Sequence, residues 1–276
     1  MRTNGVGYSC MLQRDGGTYY FRKAIPSALR PFFPSKKDGS KGQRELLVSL
    51  RTKDKEVAKS RLHRAALEAD AKQLRTLFAS PLYTGAESKA RRTKPGSYVE
   101  PDALWWLFPM TLYSGMRIEE AMGLRVEDMR EVDGVLAFVV ESRPDRTLKT
   151  LSSARTVPVH TALIRLGLVE WRDKQPRGGL LFPELRPDKR HGKLTAALSK
   201  TAGRYLRALK MPASVTTHST RHAFADGLRR AKVEPEIRSP LLGHSTQTMT
   251  ELYGAGHDVQ ALEEAVNAVR YEGVGQ

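Results

Sequence analysis

Four short segments carry the cationic, imidazole and phenolic side chains that chemistry on a phosphate requires. In His218-Ser219-Thr220-Arg221-His222, positions i and i+3 share one face of a helix, so His218 and Arg221 can reach the same phosphate. In Ser114-Gly115-Met116-Arg117-Ile118-Glu119-Glu120, Arg117 opens a helix after a glycine turn, and Glu120 can hold its guanidinium in place. Leu241-Leu242-Gly243-His244 is followed by Ser245-Thr246 and, nine residues after His244, by Tyr253. Gly243 ends one helix there, and Ser245 or Thr246 caps a short one that finishes at Tyr253. Lys149 lies in a polar loop between two strand candidates, ahead of Arg155-Thr156-Val157-Pro158. Taken singly, each segment has an ordinary structural reading: a surface hydrogen-bonding pair, an intrahelical ion pair, a half-buried packing tyrosine, a solvated hairpin lysine.

The elements around these residues follow from periodicity and punctuation. Tyr8–Leu12 and Thr18–Arg22 are short strands joined by Asp15-Gly16-Gly17, and Glu45–Leu50 is a third. Pro26-Ser27 opens a short helix, and Thr52 or Asp54 caps a long one running to about Ser80. Residues 82–99 lose the periodicity; with Gly85, Ser88, Lys89, Arg91, Arg92, Lys94, Pro95 and Gly96 they are expected to form a flexible basic linker. Beyond it, a helix from Asp102 runs into Ser114-Gly115, and Val135–Val140 and Thr156–Val159 are strands. Helices are expected at about 161–174, 193–209, 218–231, 234–242, 246–253 and 258–270. The last has Asp258 as its N-cap and an apolar stripe of Val259, Leu262, Val266 and Val269. The fold class expected is α+β: a mainly helical domain with a small β-hairpin or sheet at 100–276, preceded at 1–81 by a three-stranded sheet with a helix.

Charge narrows the partner. The 276-residue chain has a formal net charge of +16. Residues 1–99 hold 21 Lys and Arg against 8 Asp and Glu, whereas residues 100–276 hold 25 against 22. An excess concentrated in the first third points to a polyanion, and to nucleic acid in particular. A membrane partner is not expected, because the longest apolar stretch, Leu104–Leu112, is too short to span a bilayer and contains Pro109. With no apolar signal core at the N-terminus and Cys10 as the lone cysteine, a reducing cytoplasmic compartment is expected.

In order and spacing, the segments together resemble the tyrosine recombinases, the phage-integrase family. YSGMRIEEAMGLRVEDM is similar to that family's first arginine box, THSTRHAF to its second, and LLGHSTQTMTELY to its nucleophile segment. The resemblance runs from about 101 to 270. A softer one links YYFRKAIPSALRPFF and RELLVSLRTKDKEVAKSRL to the small basic domain, an arm-type DNA-binding module, that precedes many integrases. It implies an integrase-type catalytic domain at 100–276 and a site made of Arg117, Lys149, His218, Arg221, His244 and Tyr253. Tyr253 is then the nucleophile that forms a 3′-phosphotyrosyl bond. Arg117 and Arg221 steady the charge that develops on the nonbridging oxygens, because a guanidinium offers a planar fork of donors and stays charged. His218 and His244 add hydrogen bonds, and one of them helps to accept the phenolic proton, which ordinarily leaves near ~10. Lys149 is the general acid for the departing 5′ oxygen by its hairpin position, although Arg143, Arg146 and Arg155 lie in the same region. His222 is a packing or capping residue.

Neither cofactor nor metal is expected, in keeping with a sequence without a Walker-type loop, a Cys/His cluster or an H-E-x-x-H segment. The implied partners are double-stranded DNA, further copies of the chain in a tetramer on paired sites, and accessory DNA-bending proteins. One departure stands out: integrases place a helical core-binding domain between the basic module and the catalytic domain, whereas here residues 82–99 pass from one to the other. That keeps open a DNA-binding relative that does not recombine, and a strand-relaxing topoisomerase with the same chemistry. The stripe after the nucleophile is compatible with packing in cis or on a neighbouring protomer.

Overall fold

The computed structural model describes residues 71–143, 154–189, 192–243, 258–271 and 274, together with the backbone of three strands nearer the N-terminus. The chain divides into two compact units, residues 1–77 with 206–215, and residues 78–205 with 216–276. In the first, β1 (Cys10–Gln13), β2 (Tyr19–Ala24) and β3 (Glu45–Ser49) form an antiparallel sheet in that order. Phe21 is the register point, opposite Met11 on one side and Val48 on the other. The strands thus lie within two residues of the expected bounds. The Asp15-Gly16-Gly17 turn, the Pro26 helix and the first part of the long helix fall outside the described residues; the end of that helix, α1, is present over 71–78.

The second unit is built around one helix. After α2 (Pro81–Thr84), α3 (Ala103–Ser114) is buried at every position, so it serves as the axis on which other elements pack. Asp102 caps it, its carboxylate accepting from the Trp105 amide at 3.1 Å. Pro109 lies inside α3 and has no N–H to give the Trp105 carbonyl one turn back. The Tyr83 hydroxyl donates to that carbonyl instead, at 3.0 Å. A buried carbonyl is therefore satisfied from α2, and the proline is tolerated.

Residues 82–99 are not the free linker that their composition suggests. Ala86 exchanges two backbone hydrogen bonds with Tyr98, each 2.8 Å, and the Glu87 amide donates to the Lys94 carbonyl. Arg92 is buried, with its two terminal nitrogens 2.9 and 2.7 Å from the two oxygens of Asp102 and the second also 2.8 Å from Glu100. A guanidinium met by two carboxylates can leave water, and Asp102 then serves both the loop and the cap of α3. Composition counts such charges as solvated because it cannot see their pairing.

Beyond α3 come α4 (Ile118–Met122), a turn of 3₁₀-helix (Val126–Asp128) and a sheet in the order β4 (Met129–Val132), β5 (Val135–Val140), β6 (Arg155–Pro158). Periodicity indicated only β5 and β6. The missed strand, β4, is joined to β5 by Asp133-Gly134, both at positive φ, the two-residue turn that suits the twist of a hairpin. The helix expected at 161–174 is two, α5 (Thr161–Arg165) and α6 (Leu168–Asp173), because Gly167 is left-handed at φ 87°. Then come α7 (Ala196–Ala208), α8 (Ser219–Arg230), α9 (Pro235–Leu242) and α10 (Val259–Asn267).

The apolar stripe of α10 packs in cis. Val259, Leu262, Val266 and Val269 are all buried, with α10 lying against β5, β6 and α9. Polar contacts fix the same segment: Asn267 Oδ1 accepts from the Thr161 amide, and His160 Nε2 meets the Val269 carbonyl, both at 2.9 Å. His160 Nδ1 accepts from the Ala162 amide, so Nε2 carries the proton and donates. Among the described residues, no helix is long and apolar enough to cross a membrane.

The Tyr83 hydroxyl can be tested directly. Tyr83→Phe leaves the Trp105 carbonyl buried without a donor, and should lower unfolding free energy by about 1–3 kcal/mol. Urea melts of the two proteins measure this; equal midpoints would mean that α3 carries Pro109 without outside help.

Candidate anion site

The turn between α3 and α4 sets the first arginine. Ser114 Oγ donates to the Met110 carbonyl at 2.6 Å and accepts from the Met116 amide at 3.2 Å. Gly115 takes the left-handed conformation at φ 64°, and a Cβ there would stand 2.3 Å from the Phe224 ring of α8. Only glycine allows this turn and this approach together. Arg117 consequently emerges as the N-cap of α4.

Glu120 gathers the cationic groups around itself. It is buried, and its carboxylate accepts three hydrogen bonds: from the Arg117 amide at 2.9 Å, from Arg117 Nη1 at 2.7 Å, and from Arg155 Nη2 at 2.7 Å. Burial by itself would raise this carboxyl. The hydrogen bond and charge of Arg155, then the bonds from Arg117, overcome it and hold the group at about 2, below its ordinary 4.5. Pairing therefore wins over desolvation, and Glu120 is ionised throughout the neutral range. The expected hold of Glu120 on Arg117 is present. The second guanidinium on Glu120 was unforeseen, since Arg155 entered only as one of several arginines near the hairpin.

The second arginine box stands beside the first. α8 lies along α3, where the Thr111 and Thr220 hydroxyls meet at 2.7 Å. Next to Thr220 on α8, the buried Arg221 donates through Nη1 to the Gly115 carbonyl and through Nη2 to the Leu242 carbonyl. Arg155 Nε donates to the neighbouring Leu241 carbonyl at 3.2 Å. Both acceptors belong to the last turn of α9, whose carbonyls have no amide ahead of them once Gly243 turns left-handed at φ 58°. Two guanidiniums thus finish the helix that leads directly into His244.

Electrostatics confirm that these groups are neighbours. Burial lowers Arg221 to about 10, and the positive charges of Arg117 and Arg155 add to the effect while Glu120 opposes it. Arg221 stays charged at neutral pH. His218, the N-cap of α8, is exposed at the surface, yet partial desolvation by its neighbours, then His222, Arg221 and Arg117, lower it and favour its neutral form. His222 is exposed, its ring edge-on to that of His218 with centroids 4.7 Å apart. It neither caps α8 nor packs into the core.

Three guanidiniums around one carboxylate make a cationic site. Arg117 keeps 30% of its side chain exposed, so that charge is open on one side and held by Glu120 on the other. Such a site is preorganised for an anion with several oxygens. Three expected site residues, Arg117, His218 and Arg221, are brought together here. Lys149, His244 and Tyr253 lie outside the described residues, although β6 and α9 lead to them. No group of three His, Cys, Asp or Glu residues among those described is placed to hold a metal ion.

Removing the shared charge should be costly. Glu120→Gln puts an amide N–H against guanidinium donors, and about 3 kcal/mol of unfolding free energy should be lost. Because the folded-state value is depressed, the carboxylate's contribution is complete above the ordinary value of 4.5 and is lost as pH falls toward about 2. Chemical denaturation at pH 7 and pH 3 checks both points; the difference between wild type and Glu120→Gln should shrink at the lower pH.

The chain is similar in sequence to known proteins. The chain is 29% identical over 183 residues to tyrosine recombinase XerC of Rhodospirillum centenum, covering 63% of this chain and 51% of that protein. To tyrosine recombinase XerC of Mesorhizobium japonicum it is 33% identical over 156 residues, covering 54% and 46%. It spans about half the length of these relatives. Among solved structures, the integrase from mycobacterium phage Brujita is similar at a TM-score of 0.48 and 15% identity, over 74% of this chain and 58% of that one. A domain of unknown function (DUF6538) matches residues 11–75. The phage integrase family model matches residues 101–258, more than half of the chain and all four segments that carry the site residues. The chain belongs to the phage integrase family.

Proposed function

We propose that this protein is a tyrosine-type site-specific recombinase, cleaving and rejoining double-stranded DNA through a 3′-phosphotyrosyl bond to Tyr253. The observation that carries this reading is the group of Arg117, partly open to solvent, with the buried Arg155 and Arg221 around Glu120. A phosphodiester resists attack because the incoming nucleophile adds negative charge to oxygens already charged. Fixed guanidiniums lower that barrier without having to reorganise during the reaction.

In this mechanism the scissile phosphate rests on the open side of Arg117, with His218 as a further donor and the buried Arg221 behind them supplying positive field. The Tyr253 oxygen attacks phosphorus, and the bond to the 5′ oxygen breaks. The phenolic proton passes to one of the histidines, His218 or His244, and Lys149 supplies a proton to the leaving 5′ oxygen. A phosphodiester is exchanged for a phosphotyrosyl ester of similar energy, so a second 5′ hydroxyl can reverse the step on another strand. We assign the catalytic domain to residues 100–276 and an arm-type DNA-binding role to residues 1–81, with the reaction occurring on paired sites in a homo-oligomer. Relatives named as tyrosine recombinases support this choice of reaction.

The test is a covalent adduct. Nicked duplexes built from the DNA flanking the gene are incubated with the full chain in chelator, then resolved on a denaturing gel. Wild type should give a protein–DNA band that Tyr253→Phe does not. DNA binding should weaken steeply as salt rises, as release of counterions from several phosphate contacts requires. Binding without an adduct would replace this reading with a DNA-binding protein that does not recombine.

A further inference from the structure

We infer that Arg155 is a positioning residue for strand cleavage, a buried tie that holds Arg117, through Glu120, in register with the end of α9 that leads to His244 and Tyr253. The inference rests on the recombinase reading above and goes beyond the six residues to which that reading gives roles.

Geometry carries it. The Arg155 side chain is 4% exposed, so its charge does not face a ligand in solvent as that of Arg117 does. Its fork is divided between two elements. Nη2 meets Glu120 Oε2 at 2.7 Å, and Nε meets the Leu241 carbonyl at 3.2 Å. Glu120 spends its other oxygen on Arg117 Nη1, so the orientation of Arg117 depends on a carboxylate that Arg155 holds from the opposite side. Gly243 adds a steric condition, because a Cβ there would stand 2.9 Å from Arg155 Nη1. The glycine that ends α9 therefore also makes room for the guanidinium. Arg155 is the first residue of β6, so the same side chain ties in the strand that follows Lys149 in sequence. One residue links three segments: the first arginine box, the hairpin and the approach to the nucleophile. A lysine reaches only one of the two acceptors at a time, because it lacks the planar fork.

Cleavage of nicked duplexes by the full chain under single-turnover conditions, with DNA saturating, tests this. Arg155→Gln should slow adduct formation by about tenfold or more while DNA affinity changes by less than about threefold, and Arg155→Lys should recover part of the rate. The double variant Glu120→Gln with Arg155→Gln should be no slower than the slower single variant, because both act through one tie. Wild-type rate in Arg155→Gln, a loss wholly in affinity, or multiplying effects in the double variant would each overturn the inference. If Arg155→Gln does not fold, Arg155→Lys carries the test, and its cleavage at the wild-type rate would overturn it equally. Hydrogen exchange separates this inference from the recombinase reading. In either Arg155 variant, the amides of Arg117 and Gly243 should exchange about tenfold faster while α10 is unchanged. No adduct from wild type together with that faster exchange would sink the reading of Tyr253 and leave the tie standing. Unchanged exchange would sink the tie.

Discussion

A guanidinium taken out of water must be met on nearly every donor, and the second unit of this protein depends on holding three together, Arg155 and Arg221 buried and Arg117 partly exposed. Arg117, Arg155 and Arg221 repel one another, and one carboxylate cannot neutralise them all. The structure offsets the remainder with backbone carbonyls, taking them from places where helices end: Gly115 after α3, and Leu241 and Leu242 at the end of α9. A helix terminus has acceptors to spare and carries partial negative charge. The cationic site and the helix ends are therefore mutually completing, and neither would be stable if it were buried alone.

That coupling reaches into the surrounding elements. Gly115 brings its carbonyl to Arg221 where α8 sits close enough for Phe224 to approach the glycine, and the Thr111 and Thr220 hydroxyls tie α3 to α8 beside it. Burial of α3 in turn requires a substitute for the amide that Pro109 lacks, which Tyr83 supplies from α2. Arg92 then holds the loop after α2 to Asp102, the residue that starts α3. A sequence of local satisfactions thus leads from the beginning of the second unit to its cationic centre.

The site is asymmetric in exposure, and this suits anion chemistry. Arg221 and Arg155 are buried with their donors committed to carbonyls and to Glu120, whereas Arg117 faces solvent in part and His218 is exposed. Committed groups supply field without changing position, and open groups supply contact. The lowered protonation of His218 favours its neutral imidazole, which can accept a proton.

Much of this was legible in the order of residues, because it rests on local rules. Glycine at helix ends, a helix starting near Asp102, Asp258 as a cap, the i to i+3 pairing of Arg117 with Glu120, and the strands about Phe21 and Val135–Val140 all depend on neighbours in sequence. So did the recognition of the arginine boxes, since their spacing is a property of single helices. What required tertiary structure involved partners far apart in the chain. Arg155 is 35 residues from Glu120 and 86 from Leu241, and no periodicity connects them. Arg92 looked solvated because its charge, not its pairing, is what composition reports. Gly167 divided a helix whose apolar spacing ran on across it, and the choice of α10 to pack in cis followed from the surface that β5, β6 and α9 offered it. Local sequence determined which groups are present and in what order along each element; only the fold decided which buried charges would meet, because desolvation makes each of them depend on acceptors that the chain supplies from elsewhere.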